Sequence, residues 1–458
     1  MKNTPGFLRT TAITAKVTGV LIFGLYFAGC KKDYKTSSSS SAINKVKHVV
    51  VIYLENHSFD NLYGQFQGAN GLSNATAANT TQVDATGTPY TYLPAIPGTP
   101  AFPTTLANNY FNIDQYVPND MITQDVLHRY YQEQMQIDGG KMDKYALYNS
   151  NSAGLSQGYY TTGLLPLLPM AQKYVLCDNF FHSAFGGSFL NHMWLIAAAS
   201  PTFPNAPAGI IAQLDGSGKV VKDGAVTPDG YVVNTSYTVN TPHPASAVAA
   251  NLVPNQTIPT IGDRLSDKKV SWAWYSGGWN DALAGNPAPT FQFHHQPFAY
   301  FANYADGKQA KTDHLKDETE FIAAAQAGKL PEVSFVKPLG IDNEHPGYSD
   351  VANGENHTLE LINDVLNGPN GKDVVIIVTY DENGGFWDHV APPAIDPKWG
   401  PGTRVPAIII SPFAKSSYVD HNQYETVSIL SFIEKRWDLQ PLSTRDKNAD
   451  PLSNAFKF

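Results

Sequence analysis

Two acidic clusters stand where apolar runs stop. In HVVVIYLENHSFDNLYG the run 48–54 gives way to Glu55 and Asn56, and in DVVIIVTYDENGG the run 373–380 gives way to Asp381 and Glu382, followed by Gly384 and Gly385. If the two runs are neighbouring parallel strands, four oxygen-bearing side chains converge at one sheet edge, three of them carboxylates. Like charges a few ångströms apart raise one another's pKa, so such a cluster calls for a cation. One divalent ion answers that need, and an all-oxygen donor set suits Ca²⁺, Mg²⁺ or Mn²⁺. A local alternative exists at each place: Asn56 or Ser58 capping a helix through FDNLYG, and an acidic turn ahead of Gly384.

Ser188 is the candidate nucleophile. It follows Gly186-Gly187 and precedes an apolar, helix-like run, FLNHMWLIAAA. At a helix N-terminus free backbone N–H groups and the positive end of the dipole favour an anion, and a nearby metal would help a hydroxyl attack phosphorus. The alternative is a serine that only caps its helix. Histidines in loops near predicted strand ends supply further chemistry: His128, the pair His294-His295, His345 and His389. Such residues bind metals, donate to phosphate or protonate leaving groups.

The elements that must position these residues follow an α/β rhythm. Apolar runs at 48–54, 173–181, 270–276, 332–338, 373–380 and 405–411 lack clean alternation, as strands buried on both faces do. Helical patterns at 125–137, 355–368 and 424–437 lie between several of them, which predicts a mostly parallel sheet flanked by helices. In open sheets of this kind ligands bind beyond the carboxyl ends of the strands, where the acidic clusters fall. Residues 66–118 and 200–260 break the rhythm and read as insertions, the second with Asp-Gly hairpins in LDGSGKVVKDGAVTPDGYVVN. The region 45–458 reads as one elaborated domain.

The chain has 458 residues, is 42% hydrophobic and carries a net charge of -9, with a pI near 5.8. That length supports a large core, and the acidic balance without a basic cluster argues against a nucleic-acid partner. Residues 1–30 resemble an export signal: Lys2, Arg9 and Lys16 precede the apolar run VTGVLIFGLYFAG, which is too short for a mature membrane span. The run ends in Ala28-Gly29-Cys30, resembling a bacterial lipoprotein signal in which Cys30 is lipidated; the alternative is an ordinary cleaved signal. Residues 31–44 then form a polar tether, placing the protein in the periplasm or on the outer membrane. Cys177 reads as a small buried hydrophobe.

The segments KHVVVIYLENHSFDNLYG, GGKMDKY, GGSFLNH, NEHPGYSD, YDENGGFWDHVAPP and RVPAIIISPFAK together resemble the bacterial phosphoesterase family of secreted acid phosphatases and phospholipases C, within the alkaline-phosphatase-like superfamily. The resemblance spans roughly 45 to 440 and implies an alkaline-phosphatase-like central sheet. It implies that Glu55, Asn56, Ser188, Asp381 and Glu382 hold one metal, with Ca, Mg, Mn and Zn all open, and that Ser188 is phosphorylated during turnover. It implies that His128, His295 and His345 act on the transferred phosphoryl group, with Asn191 and His294 binding substrate. Ser188 and Leu190 in GGSFLNH are similar to the acid phosphatase branch, where phospholipases C more often carry Thr and Pro. Hydrolysis of phosphate monoesters is therefore the expected activity; a head-group-releasing phospholipase C is the alternative, and an inactive surface binding lipoprotein a distant third.

Overall fold

β-Branched runs with no polar interruption form strands that bury both faces, and the core of this protein is built from them. The computed structural model describes residues 42–98 and 101–458. The proposed lipid attachment at Cys30 and most of the tether lie outside these residues. The tether also ends earlier than its expected boundary at 44, because Ile43 and Val46 are already buried in the core.

The central sheet has eight strands: β1 (His48–Leu54), β2 (Val175–Cys177), β3 (Trp272–Ser276), β4 (Leu315–Asp317), β5 (Val333–Lys337), β6 (Val374–Tyr380), β7 (Ala407–Ile410) and β8 (Tyr418–Asp420). Their spatial order is β8-β2-β7-β6-β1-β5-β3-β4. All pairings are parallel except those of β7, which runs antiparallel to both β6 and β2. The mostly parallel α/β sheet expected from the sequence is thus the sheet observed.

Helices cover the strands. Those used below are α1 (Phe59–Tyr63), α2 (Tyr130–Ile137), α3 (Ser188–Ala197), α4 (Val351–Asn367) and α5 (Thr426–Trp437). Ser58 caps α1 by accepting from the Asn61 N–H, and Asp350 caps α4 by accepting from the Asn353 N–H, so α4 starts four residues before the expected 355. α3 packs against α5.

Three sequence expectations change. The predicted strand 173–181 breaks after Cys177, because the Asp178 carboxylate turns aside to accept from the Asn70 N–H and from His421. The predicted helix 125–137 starts only at Tyr130; Arg129 before it is extended, and residues 126–128 pass close against Gly187 and Gly385. Tyr424 and Glu425 form a short strand beside Phe180–Phe181, so the helix expected over 424–437 begins at Thr426. The 200–260 insertion contains one of the expected hairpins, Gln213–Leu214 with Val220–Lys222. Among the described residues no helix is long and apolar enough to cross a membrane.

Candidate active site

Register brings the acidic clusters together. Leu54 of β1 pairs with Tyr380 of β6, and the Asp381 N–H donates to the Leu54 carbonyl at 3.0 Å, so Glu55 and Asp381 leave the sheet side by side. Glu55, Asn56, Asp381 and Glu382 are all fully buried. Glu382 accepts from Asn56 Nδ2 at 2.6 Å and from the Gly384 N–H at 2.5 Å. Gly384 has a φ of 62°, and a Cβ there would lie 2.0 Å from the Asn56 carbonyl oxygen, so this crossing requires glycine.

Ser188 opens α3, and its Oγ donates to Glu55 Oε2 at 3.1 Å. The N-cap position belongs to Gly187, with no side-chain cap bond, so the hydroxyl serves the acidic cluster and not the helix. Gly186 has a φ of 92°, and a Cβ there would lie 2.6 Å from the Tyr130 backbone. A Cβ on Gly187 would lie 2.7 Å from the His128 carbonyl oxygen. The glycine pair therefore admits the segment that carries His128.

His128 and His345 are oriented alike. Each Nδ1 bonds a backbone carbonyl at 2.5 Å, of Val126 and Pro346 respectively. Each Nε2 is then left toward the cluster: that of His128 is 3.7 Å from Glu382 Oε1, and that of His345 is 3.6 Å from Glu55 Oε2. The adjacent pair divides its work. His294 lines the cleft, while His295 sits behind it with Nε2 2.5 Å from Glu55 Oε1. Asn191, expected to face the phosphoryl group, instead turns back on its own loop. Its amide donates to the carbonyls of Ala184 and Gly186, and its oxygen accepts from the Ala184 N–H. These bonds from both ends of the amide fasten the loop that carries Ser188. His389 lies elsewhere, in a buried cluster with Asp60 and Asp388 whose positive charge comes from Arg404.

Two residues of this centre were not found from sequence. Lys337, the last residue of β5, is fully buried with Nζ 2.8 Å from Glu55 Oε1. It stands at the same kind of strand end that marked Glu55 and Asp381, so a signal existed. Glu133 of α2 is buried and bonds the Ser188 loop; its spacing from Tyr130 and Ile137, three and four residues, put it on the buried stripe of its helix.

Charge explains how buried carboxylates coexist. Burial opposes ionisation of Glu55, but Lys337 and His295 outweigh it and hold Glu55 well below the ordinary carboxylate range. Burial, and then the Glu55 charge, push Asp381 well above it. Burial likewise raises Glu382. His128 is pulled down by burial, yet Glu382 and Asp125 carry it up to about 9, whereas burial takes His295 down to about 4. Asn56 Oδ1 and Asp381 Oδ2 are buried with no hydrogen-bond partner among the described residues. Unpaired oxygens beside a carboxylate that resists ionisation are what a cation would satisfy, so the arrangement is compatible with a metal ion.

The cleft over Ser188 encloses about 340 Å³. Glu55, His128, His294 and His345 line it, and Asn234 and Thr235 bring the 200–260 insertion to one wall.

Residues 46–440 match the Phosphoesterase family, and the chain belongs to that family. It is a phosphoric ester hydrolase. It is 24% identical over 472 residues to phospholipase C A of Mycobacterium tuberculosis strain H37Rv, covering 93% of this chain and 80% of that protein. It is 23% identical over 456 residues to the non-hemolytic phospholipase C of Pseudomonas aeruginosa, covering 91% of this chain and 58% of that one. Among solved structures, a protein in the alkaline phosphatase superfamily from Vibrio parahaemolyticus aligns with a TM-score of 0.34 at 10% identity, over 72% of this chain and 75% of that one.

Proposed function

We propose that the cleft hydrolyses phosphate monoesters through a phosphoserine at Ser188. The observation that carries this reading is the Ser188 hydroxyl, held 3.1 Å from Glu55 at the first residue of α3 in a cleft walled by polar side chains. Attack forms the Oγ–P bond as the bond from phosphorus to the leaving oxygen breaks, the hydroxyl proton passing along its hydrogen bond to Glu55 Oε2, which returns it to Oγ when water later cleaves the Oγ–P bond. His128, protonated at neutral pH, gives its Nε2 proton to that oxygen. Neutral His128 then takes a proton from the water that releases phosphate from Ser188. A phosphoryl dianion between His294 and His345 favours their charged forms, so they bind it as cations more fully at acidic pH. A divalent ion held by Glu55, Asn56, Ser188, Asp381 and Glu382 would supply Lewis-acid stabilisation of the developing charge.

The phospholipase C reading keeps the same chemistry and is favoured by the names of the relatives. The charged and polar side chains that line the cleft, Glu55, Asp125, His128, Arg129, His294 and His345 among them, suit a small charged phosphoryl group, and this supports the monoester reading. The test compares phosphate released from p-nitrophenyl phosphate with phosphocholine released from phosphatidylcholine vesicles by the purified protein. Faster release of phosphocholine would transfer the assignment to the diesterase. By the same proposal the enzyme works outside the cytoplasm, attached through a lipidated Cys30.

A further inference from the structure

A fully buried lysine is rare without a partner, and Lys337 has more than one. Its Nζ is 2.8 Å from Glu55 Oε1, donates to the Leu54 carbonyl at 3.3 Å, and lies 5.4 Å from the centre of the Tyr53 ring. The same carboxylate belongs to a second constellation. Glu55, His192 and His295 each offer a ligand atom within 4.8 Å of the other two, and all three residues are buried. His192 Nδ1 bonds the Ser188 carbonyl at 2.7 Å, and its Nε2 is buried with no hydrogen-bond partner among the described residues. The His295 ring stacks on His192 at 5.1 Å, nearly parallel, and presents Nε2 to Glu55 Oε1.

One carboxylate and two imidazoles make a protein ligand set suited to Zn²⁺ or a similar ion. It differs in chemistry from the oxygen cluster of Asn56, Asp381 and Glu382, shares Glu55 with it and abuts it, His192 Nδ1 lying 3.7 Å from Asp381 Oδ2. Lys337 and an ion in this set would compete for one oxygen, Glu55 Oε1. We propose that Lys337 is a built-in cation that claims Glu55 and closes the Glu55–His192–His295 cluster to a divalent ion, so that the centre takes one metal and not two. The inference rests on the reading that the oxygen cluster holds a metal, and the two are separable by measurement.

Wild-type protein, Lys337→Arg, Lys337→Gln and Lys337→Gln/His192→Ala are equilibrated with Zn²⁺, desalted, and assayed for zinc per chain. The wild type and the arginine variant hold one ion, the glutamine variant two, and the double variant one. A folded Lys337→Gln protein with the wild-type zinc content overturns the inference, as does a wild type that holds two. A wild type with none, beside a Lys337→Gln protein that gains one ion lost again in the double variant, sinks the oxygen-cluster reading and leaves Lys337 in its role. If Lys337→Gln is unfolded without metal, its thermal melting is followed with added Zn²⁺. Recovery of a cooperative transition supports the inference, because the ion replaces the lost charge; failure to recover it overturns the inference.

Discussion

The Glu133 carboxylate of α2 accepts the Gly186 backbone N–H at 2.5 Å, so the helix that follows His128 also holds the loop that carries Ser188. The other oxygen of the same carboxylate accepts from His182 Nε2 and from the N–H and hydroxyl of Thr403, each at 2.8 Å. Both ends of Glu133 act as acceptors, and glutamine has only one accepting end. Glu133→Gln must therefore leave a buried donor unpaired, at a cost of about 1–3 kcal/mol in stability. Because one of those donors positions the nucleophile loop, turnover should fall while KM changes little. Steady-state kinetics and urea unfolding read the two effects, and a variant with wild-type turnover but a lowered midpoint would make Glu133 structural only.

Ser188→Ala removes the hydroxyl and leaves α3 intact, since Gly187 occupies the cap position. Turnover should drop by about 10³-fold or more, with an unchanged far-ultraviolet spectrum. Label from a radioactive phosphate ester should appear on serine in the wild type and not in the variant. Retention of about a tenth of the activity or more would remove Ser188 from the role.

Glu55 and Asp381 come from separate strands, so losing either charge should weaken the same metal. Glu55→Gln and Asp381→Asn should each lose bound ion, and a chelator should abolish activity that single added ions restore. A fully active preparation with less than about a tenth of an equivalent of every divalent metal would count decisively against the metal.

How much of this centre could be seen in the sequence depended on whether a residue's position broke a local pattern. Glu55 and Asp381 end hydrophobic strands, and Ser188 follows two glycines ahead of an apolar helix, so each stands out against its neighbours. Lys337 ends a strand as well, but a lone lysine at a strand end usually reads as a return to solvent. Glu133 sits inside a polar-looking helix, and only tertiary contacts with residues 182, 186 and 403 show what it holds. The path of 125–129 was hidden by helical spacing, because the constraint comes from the distant glycines Gly187 and Gly385, onto which this segment closes. Asn191 fits a substrate-binding pattern by type, yet its amide is used by backbone seven and five residues earlier.

Attachment through Cys30 makes a claim separable from catalysis. Several acyl chains, each CH₂ contributing about 0.8 kcal/mol on burial, would fix the protein to a membrane, whereas a single chain binds only marginally. Cys30→Ala should abolish incorporation of labelled fatty acid in a bacterial host. A form starting at Lys31 should be soluble and fully active, since every proposed catalytic residue lies beyond Leu54. An unlabelled wild-type protein in the soluble secreted fraction would establish the ordinary-signal alternative.

Glu355 gives the protein a stability that depends on pH for reasons unrelated to catalysis. This α4 carboxyl is fully buried, accepting from the Leu167 N–H at 2.7 Å and from the Tyr63 hydroxyl at 3.3 Å. Burial pushes it up to about 8, and burial with the Glu355 charge also raises the nearby Glu344, so the two carboxyls titrate as a pair. Above the ordinary carboxylate range the unfolded chain gives up the Glu355 proton while the folded protein keeps it until about pH 8. The folded state therefore binds more protons, and stability falls as pH rises through that window by up to about 1.4 kcal/mol per pH unit, levelling off above it. Glu355→Gln keeps a neutral acceptor for the Leu167 N–H and should flatten this part of the profile. Urea unfolding of both proteins across the window measures the difference in slope. Equal slopes would mean that Glu355 ionises within the fold as readily as in the unfolded chain.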